Sequence, residues 1–230
     1  MLENLRKSVC EANIRLENYN LVSFTWGNVS QIDREKKLVV CKPGGVKHSM
    51  LSPEKMIIVD LDGNIVEGEL TPLSDLLTHL ELYKRFDCIN SVVHTHSRWA
   101  TAWAQAGKPI KPYGATHANY FYGEIPCTRE MTGPEILQDY EKNTGKVIAE
   151  TFENINPLNM PAVLVKSHGP FCWGADADEA VENAAVLEEV AMIAYDSVVL
   201  SSLELKTMQK SQLDKHFFRK HDKNVYCGQR

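Results

Sequence analysis

Apolar residues at Leu2, Leu5, Val9, Ala12 and Leu16 recur every three to four positions, the period of one helix face. The chain therefore opens with an amphipathic helix. The pattern then changes to short apolar runs rich in β-branched residues, at 21–25, 38–41, 56–60 and 64–67. These predict strands, and Asp62-Gly63-Asn64 between the last two predicts a hairpin turn. Residues 74–86 predict a helix capped by Ser74 or Asp75. Ser91-Val92-Val93-His94-Thr95-His96 predicts a buried strand that runs into polar positions. Helical spacing resumes over 97–106 and again over 132–152. Residues 162–165 predict another buried strand, closed by Ser167-His168-Gly169-Pro170. The longest helix is predicted over 176–200, with Ala180, Ala184, Leu187 and Ala191 on one face, and a last helix over 208–221.

Hairpin-linked strands with interspersed helices predict one α/β domain over residues 1–230, a mixed sheet with helices packed on its faces. The βαβ rhythm and the GxGxxG turn of a dinucleotide-binding unit are absent. The Gly44-Gly45 turn is not a Walker loop. A length of 230 residues suits one domain, and 43% hydrophobic residues are enough to offset the entropy of ordering. With 25 Lys+Arg against 30 Asp+Glu, the net charge is −5, and no basic block occurs. That balance predicts no nucleic-acid partner. No apolar run reaches the roughly 18 residues of a membrane span. Six scattered cysteines without a CxxC pair, behind a start with no secretory signal, predict a cytoplasmic protein with reduced thiols.

His94-Thr95-His96 is the sharpest chemical signal. On a strand, positions i and i+2 face the same way, so both imidazoles converge. Neutral imidazole pairs suit Zn²⁺ or a similar divalent ion, Mn²⁺ and Co²⁺ included. His168, at the end of a second buried strand, is a third candidate ligand, and Asp75 at a helix start is a carboxylate to complete the set. Each also has a plain reading: strand histidines, a structural turn histidine, a helix cap. Asp75 and His79, at i and i+4, form a rival local pair. A second feature is Trp26-Gly27-Asn28-Val29-Ser30 with Lys42-Pro43-Gly44-Gly45. Backbone N–H groups in small-residue turns hold phosphate, and the alternative is two ordinary loops. Trp26, Trp99, Trp103 and Trp173 are read as core or interface packing, His48 and His221 as surface residues, and Arg98 as a salt-bridge residue. The charged stretch 206–223 solvates a C-terminal helix.

Together with Leu21-Val22-Ser23-Phe24-Thr25, Thr116-His117-Ala118-Asn119-Tyr120-Phe121-Tyr122-Gly123, Phe171 and Asp214-Lys215-His216-Phe217-Phe218-Arg219-Lys220-His221, these motifs resemble the L-ribulose-5-phosphate 4-epimerases of the class II aldolase/epimerase superfamily. The resemblance runs nearly end to end. It implies a three-layer α/β/α sandwich with a mixed, largely antiparallel central sheet, and a C4 homotetramer with active sites between subunits. It implies one divalent metal ion per subunit, zinc above others, held by Asp75, His94, His96 and His168. It implies a sugar-phosphate substrate contacted by Gly27, Asn28, Gly44, Gly45, Ser74 and Arg219. It further implies metal-dependent conversion of L-ribulose 5-phosphate to D-xylulose 5-phosphate, by cleavage and re-addition at C3–C4. Asn119 and Cys227 occupy the positions that the resemblance links to proton transfer, with Tyr226 the neighbour that can take the place of the missing Tyr; His216, with Arg219, matches C-terminal residues linked to the active site, and His117 is read as ordering the loop that carries Asn119.

The chain departs from that family where protons move. Asn119 stands where the resemblance places an Asp, and Cys227 where it places a Tyr. An amide donates a hydrogen bond but relays no proton at neutral pH. Gly44 and Leu73 replace serines near the phosphate loops. These departures leave two alternatives to the epimerase: a class II sugar-phosphate aldolase, or a diverged homologue that binds a sugar phosphate without turnover.

Overall fold

A computed structural model describes residues 2–221. Its strands are β1 (Asn28–Asp33), β2 (Leu38–Cys41), β3 (Ile57–Asp60), β4 (Ile65–Glu67), β5 (Ser91–His94), β6 (Ala162–Leu164) and β7 (Pro170–Gly174). Its helices are α1 (Glu3–Asn18), α2 (Leu76–Arg85), α3 (Arg98–Ala106), α4 (Ala115–Tyr120), α5 (Gly133–Leu137), α6 (Tyr140–Thr151), α7 (Ala177–Leu200) and α8 (Lys210–His221). The strands form one seven-stranded sheet in the order β4-β3-β2-β1-β5-β7-β6. Every pairing between these strands is antiparallel, and an isolated Cys127–Leu164 bridge runs parallel.

Strand alternation decides what each face carries. The register sets Ser30 opposite Val92 and Val92 opposite Trp173, so the three share a face. Helices α2 and α6 cover it. The Tyr83 hydroxyl lies 2.8 Å from Ser30 Oγ, and the Trp173 ring packs 5.6 Å from Phe86 and 5.0 Å from Phe152. Helices α1, α3 and α7 lie on the opposite face, where Gln31 Oε1 accepts from Ala177 N at 3.1 Å. The result is the three-layer α/β/α arrangement. Buried Asn13 fastens α1 to the sheet: it accepts from Val29 N at 2.9 Å and donates to Val29 O at 3.0 Å. No helix among the described residues is long and apolar enough to cross a membrane.

Three local expectations are corrected. Residues 21–25 are not a strand: Phe24 (φ 57°) and Gly27 (φ 75°) turn the chain instead, and β1 begins inside the segment read as a turn. Gly27 is required there, because a Cβ would meet the Val22 side chain at 2.4 Å and His94 O at 3.1 Å. The single helix expected over 132–152 is two, because Asp139 adopts φ 54° between α5 and α6. Strand β7 and the single-turn α4 carry too little periodicity to be found by pattern.

Candidate functional site

The register that aligns Ser30, Val92 and Trp173 also aligns Asn28, His94 and Phe171 two residues further along. These residues lie at the end of the face that α2 covers, beside Asp75 at the start of that helix. His94 stacks on Phe171 with centroids 4.2 Å apart, and its Nδ1 lies 3.0 Å from Pro170 O. A carbonyl only accepts, so Nδ1 carries the proton and Nε2 presents its lone pair. That Nε2 is buried with no hydrogen-bond partner.

His96 and His168 complete the convergence. Ring centroids are 4.9 Å (His94–His96), 4.6 Å (His94–His168) and 5.3 Å (His96–His168) apart. One ligand atom of each lies within 4.8 Å of the others. A tight turn delivers His168: Ser167 has φ 61°, and Val165 N donates to Gly169 O at 2.9 Å. Burial pushes His94 down to about 3 and holds His168 below the usual histidine range, against the pull of Asp75. Near pH 7 these imidazoles are neutral, which is the ligand form. The unpartnered His94 nitrogen and the convergence of three imidazoles fit a divalent cation.

Asp75 lies on the wall of the same cavity, with Oδ2 accepting from Asn28 Nδ2 at 3.0 Å and Ser74 Oγ at 3.1 Å. Burial works to raise its pKa, but His94, His79, His168 and the Asn28 bond outweigh it, and the carboxyl sits below the usual range. His79 takes no place in the cluster. Its Nδ1 lies 2.8 Å from Ser30 Oγ under α2, and burial drives its pKa to about 4.

The cavity holds about 470 Å³ and gathers Gly27, Asn28, Gly44, Gly45 and Ser74 around the three histidines and Asp75. Two loops zip together to form its far wall: Gly44 N donates to Thr71 O at 2.9 Å, and Leu73 N to Lys42 O at 3.1 Å. The Gly44 amide is thereby used inside the wall. Lys42 also lines the cavity, and sequence reasoning passed over it as a site residue. Its side chain is 2% exposed, and Nζ donates to Pro43 O at 3.2 Å. The signal was available: a lysine directly after a buried apolar run is placed where its charge needs a partner.

Other expectations meet different fates. His48 is not on the surface but buried, at 1% exposure, because a 3₁₀ turn tucks it beside Lys42 and against the Phe24 and Gly27 backbone. Trp26 is not in the core of this chain. It stays 55% exposed at the cavity rim, edge-on to Phe24, whereas Trp173 is buried and Trp99 and Trp103 pack half-buried against the core. Arg98 forms no ion pair among the described residues; the α3 start is held by Glu188, which accepts from Trp99 N and Ala100 N. Asn119 is on α4, away from this cavity, with its carbonyl accepting from exposed His221 at 3.0 Å. Buried His117, its pKa lowered to about 4 by burial, meets Gly123 O at 2.6 Å and so orders the turn after Asn119. His216 and Arg219 are on α8, which packs on α4 and buries Leu213 and Phe217 within an otherwise charged stretch. Tyr226 and Cys227 lie outside the described residues.

Residues 7–195 match the family model of the class II aldolase and adducin N-terminal domain. The chain belongs to this family. Among solved structures, it is similar to an L-fuculose 1-phosphate aldolase, at 22% identity and a TM-score of 0.77, over 93% of this chain and 94% of that one. It is similar to YgbL from Klebsiella pneumoniae, whose description spans aldolase, epimerase and decarboxylase, at 22% identity and a TM-score of 0.73, over 94% and 99% of the two chains. A third likeness is to the L-fuculose-1-phosphate aldolase of Thermus thermophilus, at 23% identity and a TM-score of 0.69, over 88% and 99%. At these identities the likeness shows a class II aldolase fold.

Proposed function

We propose that this protein is a cytoplasmic, divalent-metal-dependent epimerase of sugar phosphates, acting on L-ribulose 5-phosphate by breaking and re-forming C3–C4. The observation that supports it is the convergence of three imidazoles, with an unpartnered His94 Nε2, on a cavity that also holds a buried lysine. In this reading His94, His96 and His168 hold the cation, zinc above others, and Asp75 completes the set. A divalent cation bound there supplies Lewis acidity toward a substrate carbonyl and its neighbouring hydroxyl.

The chain's own residues then bind and orient. The Lys42 ammonium and the Gly45 backbone take the phosphate, with Asn28 and Ser74 beside it. The missing side chain of Gly27 lets the 24–27 turn close against the end of β5. Proton transfer at the reacting hydroxyl falls to Tyr226, Cys227 or water, because Asn119 holds a hydrogen bond without relaying a proton. Asn119, His216 and Arg219 stand away from the cavity of their own chain, so a neighbouring copy in a homotetramer supplies them.

The test is conversion of L-ribulose 5-phosphate with added Zn²⁺ or Mn²⁺, with chelator, and in Asn119→Asp. Activity that needs the cation and rises in Asn119→Asp is the expected result. Accumulation of free aldehyde would replace the epimerase with an aldolase. Sugar-phosphate binding without turnover in either form would leave the silent homologue, and failure to bind any divalent cation would overturn the proposal outright.

A further inference from the structure

A histidine that ligates through one ring nitrogen needs a partner on the other, which fixes its tautomer and the orientation of the ring. His94 has the Pro170 carbonyl. His168 sits on a turn beyond the strand ladder. Among the described residues, the side-chain partner of its Nδ1 is the Tyr140 hydroxyl, at 3.4 Å. The two ring centroids are 6.0 Å apart with planes tilted by 39°.

Several features bring Tyr140 to that place. The helical pattern is interrupted at Asp139, so that Tyr140 becomes the first residue of α6. Asn143 Nδ2 holds the interruption by donating to the carbonyls of Glu135 and Gln138. Thr144 Oγ1 donates to Tyr140 O at 2.9 Å, and Thr78 Oγ1 donates to Glu141 O at 2.6 Å, tying the first turn of α6 to α2. The two helices meet closely at Gly145, where a Cβ would lie 2.6 Å from Glu81 Cβ and 3.1 Å from Thr78 O. Both ends of the contact are thus fixed by backbone: His168 by its turn, Tyr140 by the start of its helix.

We infer that Tyr140 is the positioning residue of His168: its hydroxyl oxygen accepts the Nδ1–H and presents Nε2 to the cation. This rests on the reading that the three histidines hold a cation. The 3.4 Å separation is long for such a bond. Coordination at Nε2 draws electron density from the ring, makes Nδ1–H a stronger donor, and shortens the contact.

Tyr140→Phe keeps the ring and removes the acceptor. In the full chain, competition of Zn²⁺ against a chelator should show binding weakened about 10- to 100-fold. The thermal midpoint of the cation-free protein should stay unchanged, and the visible bands of the Co²⁺-loaded variant should shift. Equal affinity and an unchanged Co²⁺ spectrum overturn the inference. If Tyr140→Phe does not fold, nitrogen-15 histidine spectra of the unmodified Zn²⁺-loaded protein decide: His168 is expected to coordinate through Nε2 with its proton on Nδ1, and coordination through Nδ1 overturns it. Failure of the unmodified protein to bind Zn²⁺ strikes the proposed function first and this inference with it. Equal binding by both forms strikes the inference alone.

Discussion

Acid should unfold this protein through histidines that never reach water. His79 and His117 are both buried, and burial lowers each to about 4. An unfolded chain protonates histidine near ~6.5. Above that pH neither state binds the proton, and stability is indifferent to these groups. Below it the unfolded chain takes a proton that the folded one refuses, so stability falls as pH drops, until the folded pKa is reached. At pH 5 each refusal costs about 1.5 pH units, or about 2 kcal/mol, and the pair about 4 kcal/mol. That is a large part of an ordinary domain stability of about 5–15 kcal/mol. Urea unfolding followed by circular dichroism at pH 7, 6 and 5, in chelator, measures it directly. His79→Gln should make the pH dependence shallower by about one proton, whatever it does to stability at pH 7. A midpoint that does not move between pH 7 and pH 5, or a slope unchanged in His79→Gln, would refute the reasoning.

Three further outcomes follow from single contacts. In Gly169→Ala the new Cβ would sit 2.8 Å from Thr95 O and 3.5 Å from His94 Cε1; a loss of about 1–3 kcal/mol is expected in thermal unfolding, together with weaker Zn²⁺ binding by titration. Lys42→Met removes a buried ammonium whose protein partner is the Pro43 carbonyl. Calorimetry should show inorganic phosphate binding weakened about 10- to 100-fold, while the ligand-free protein melts higher. Asn13→Ala leaves both Val29 backbone groups without their partner; chemical unfolding should register a loss of about 2–4 kcal/mol.

The parts of the fold that were legible in the sequence are those whose periodicity is long or whose turn chemistry is distinctive. Helices α1, α2 and α7 and the β3–β4 hairpin follow from spacing and from Asp62-Gly63-Asn64. Strand β1 was misplaced because its start depends on Phe24 and Gly27 adopting positive φ, a conformation the apolar run 21–25 does not announce. The break at Asp139 was missed for the same reason: an aspartate at positive φ inside a helical pattern is set by the packing of α6 on α2. In the site, the histidine triad was legible because i, i+2 spacing on a strand is itself a geometric statement. The role of Tyr140 is not legible, because it comes from a helix start in three dimensions, and Lys42 is marked only by its place directly after a buried apolar run. His48 was misread because its burial comes from a 3₁₀ turn with no apolar pattern of its own.

The location of the site is a consequence of strand parity. Asn28, His94 and Phe171 meet because β1, β5 and β7 pair in one register, and the same register sends Ser30, Val92 and Trp173 into the α2/α6 layer. A slip of one residue in β5 would exchange His94 for Val93 and turn the imidazole toward α7. A bond that opposes the slip lies outside the cavity, where Ser91 Oγ of β5 donates to Ser30 O of β1 at 2.7 Å, while Asn13 on Val29 and Tyr83 on Ser30 hold β1 itself in place. Residues that never approach a ligand therefore decide whether His94 can. Residues on α4 and α8 carry no such constraint. Asn119 belongs to α4, and His216 and Arg219 to α8, elements that no strand register fixes against the histidine triad. Exchange of Asn119 for Asp leaves the three imidazoles and Lys42 in place, because no residue of α4 lines their cavity.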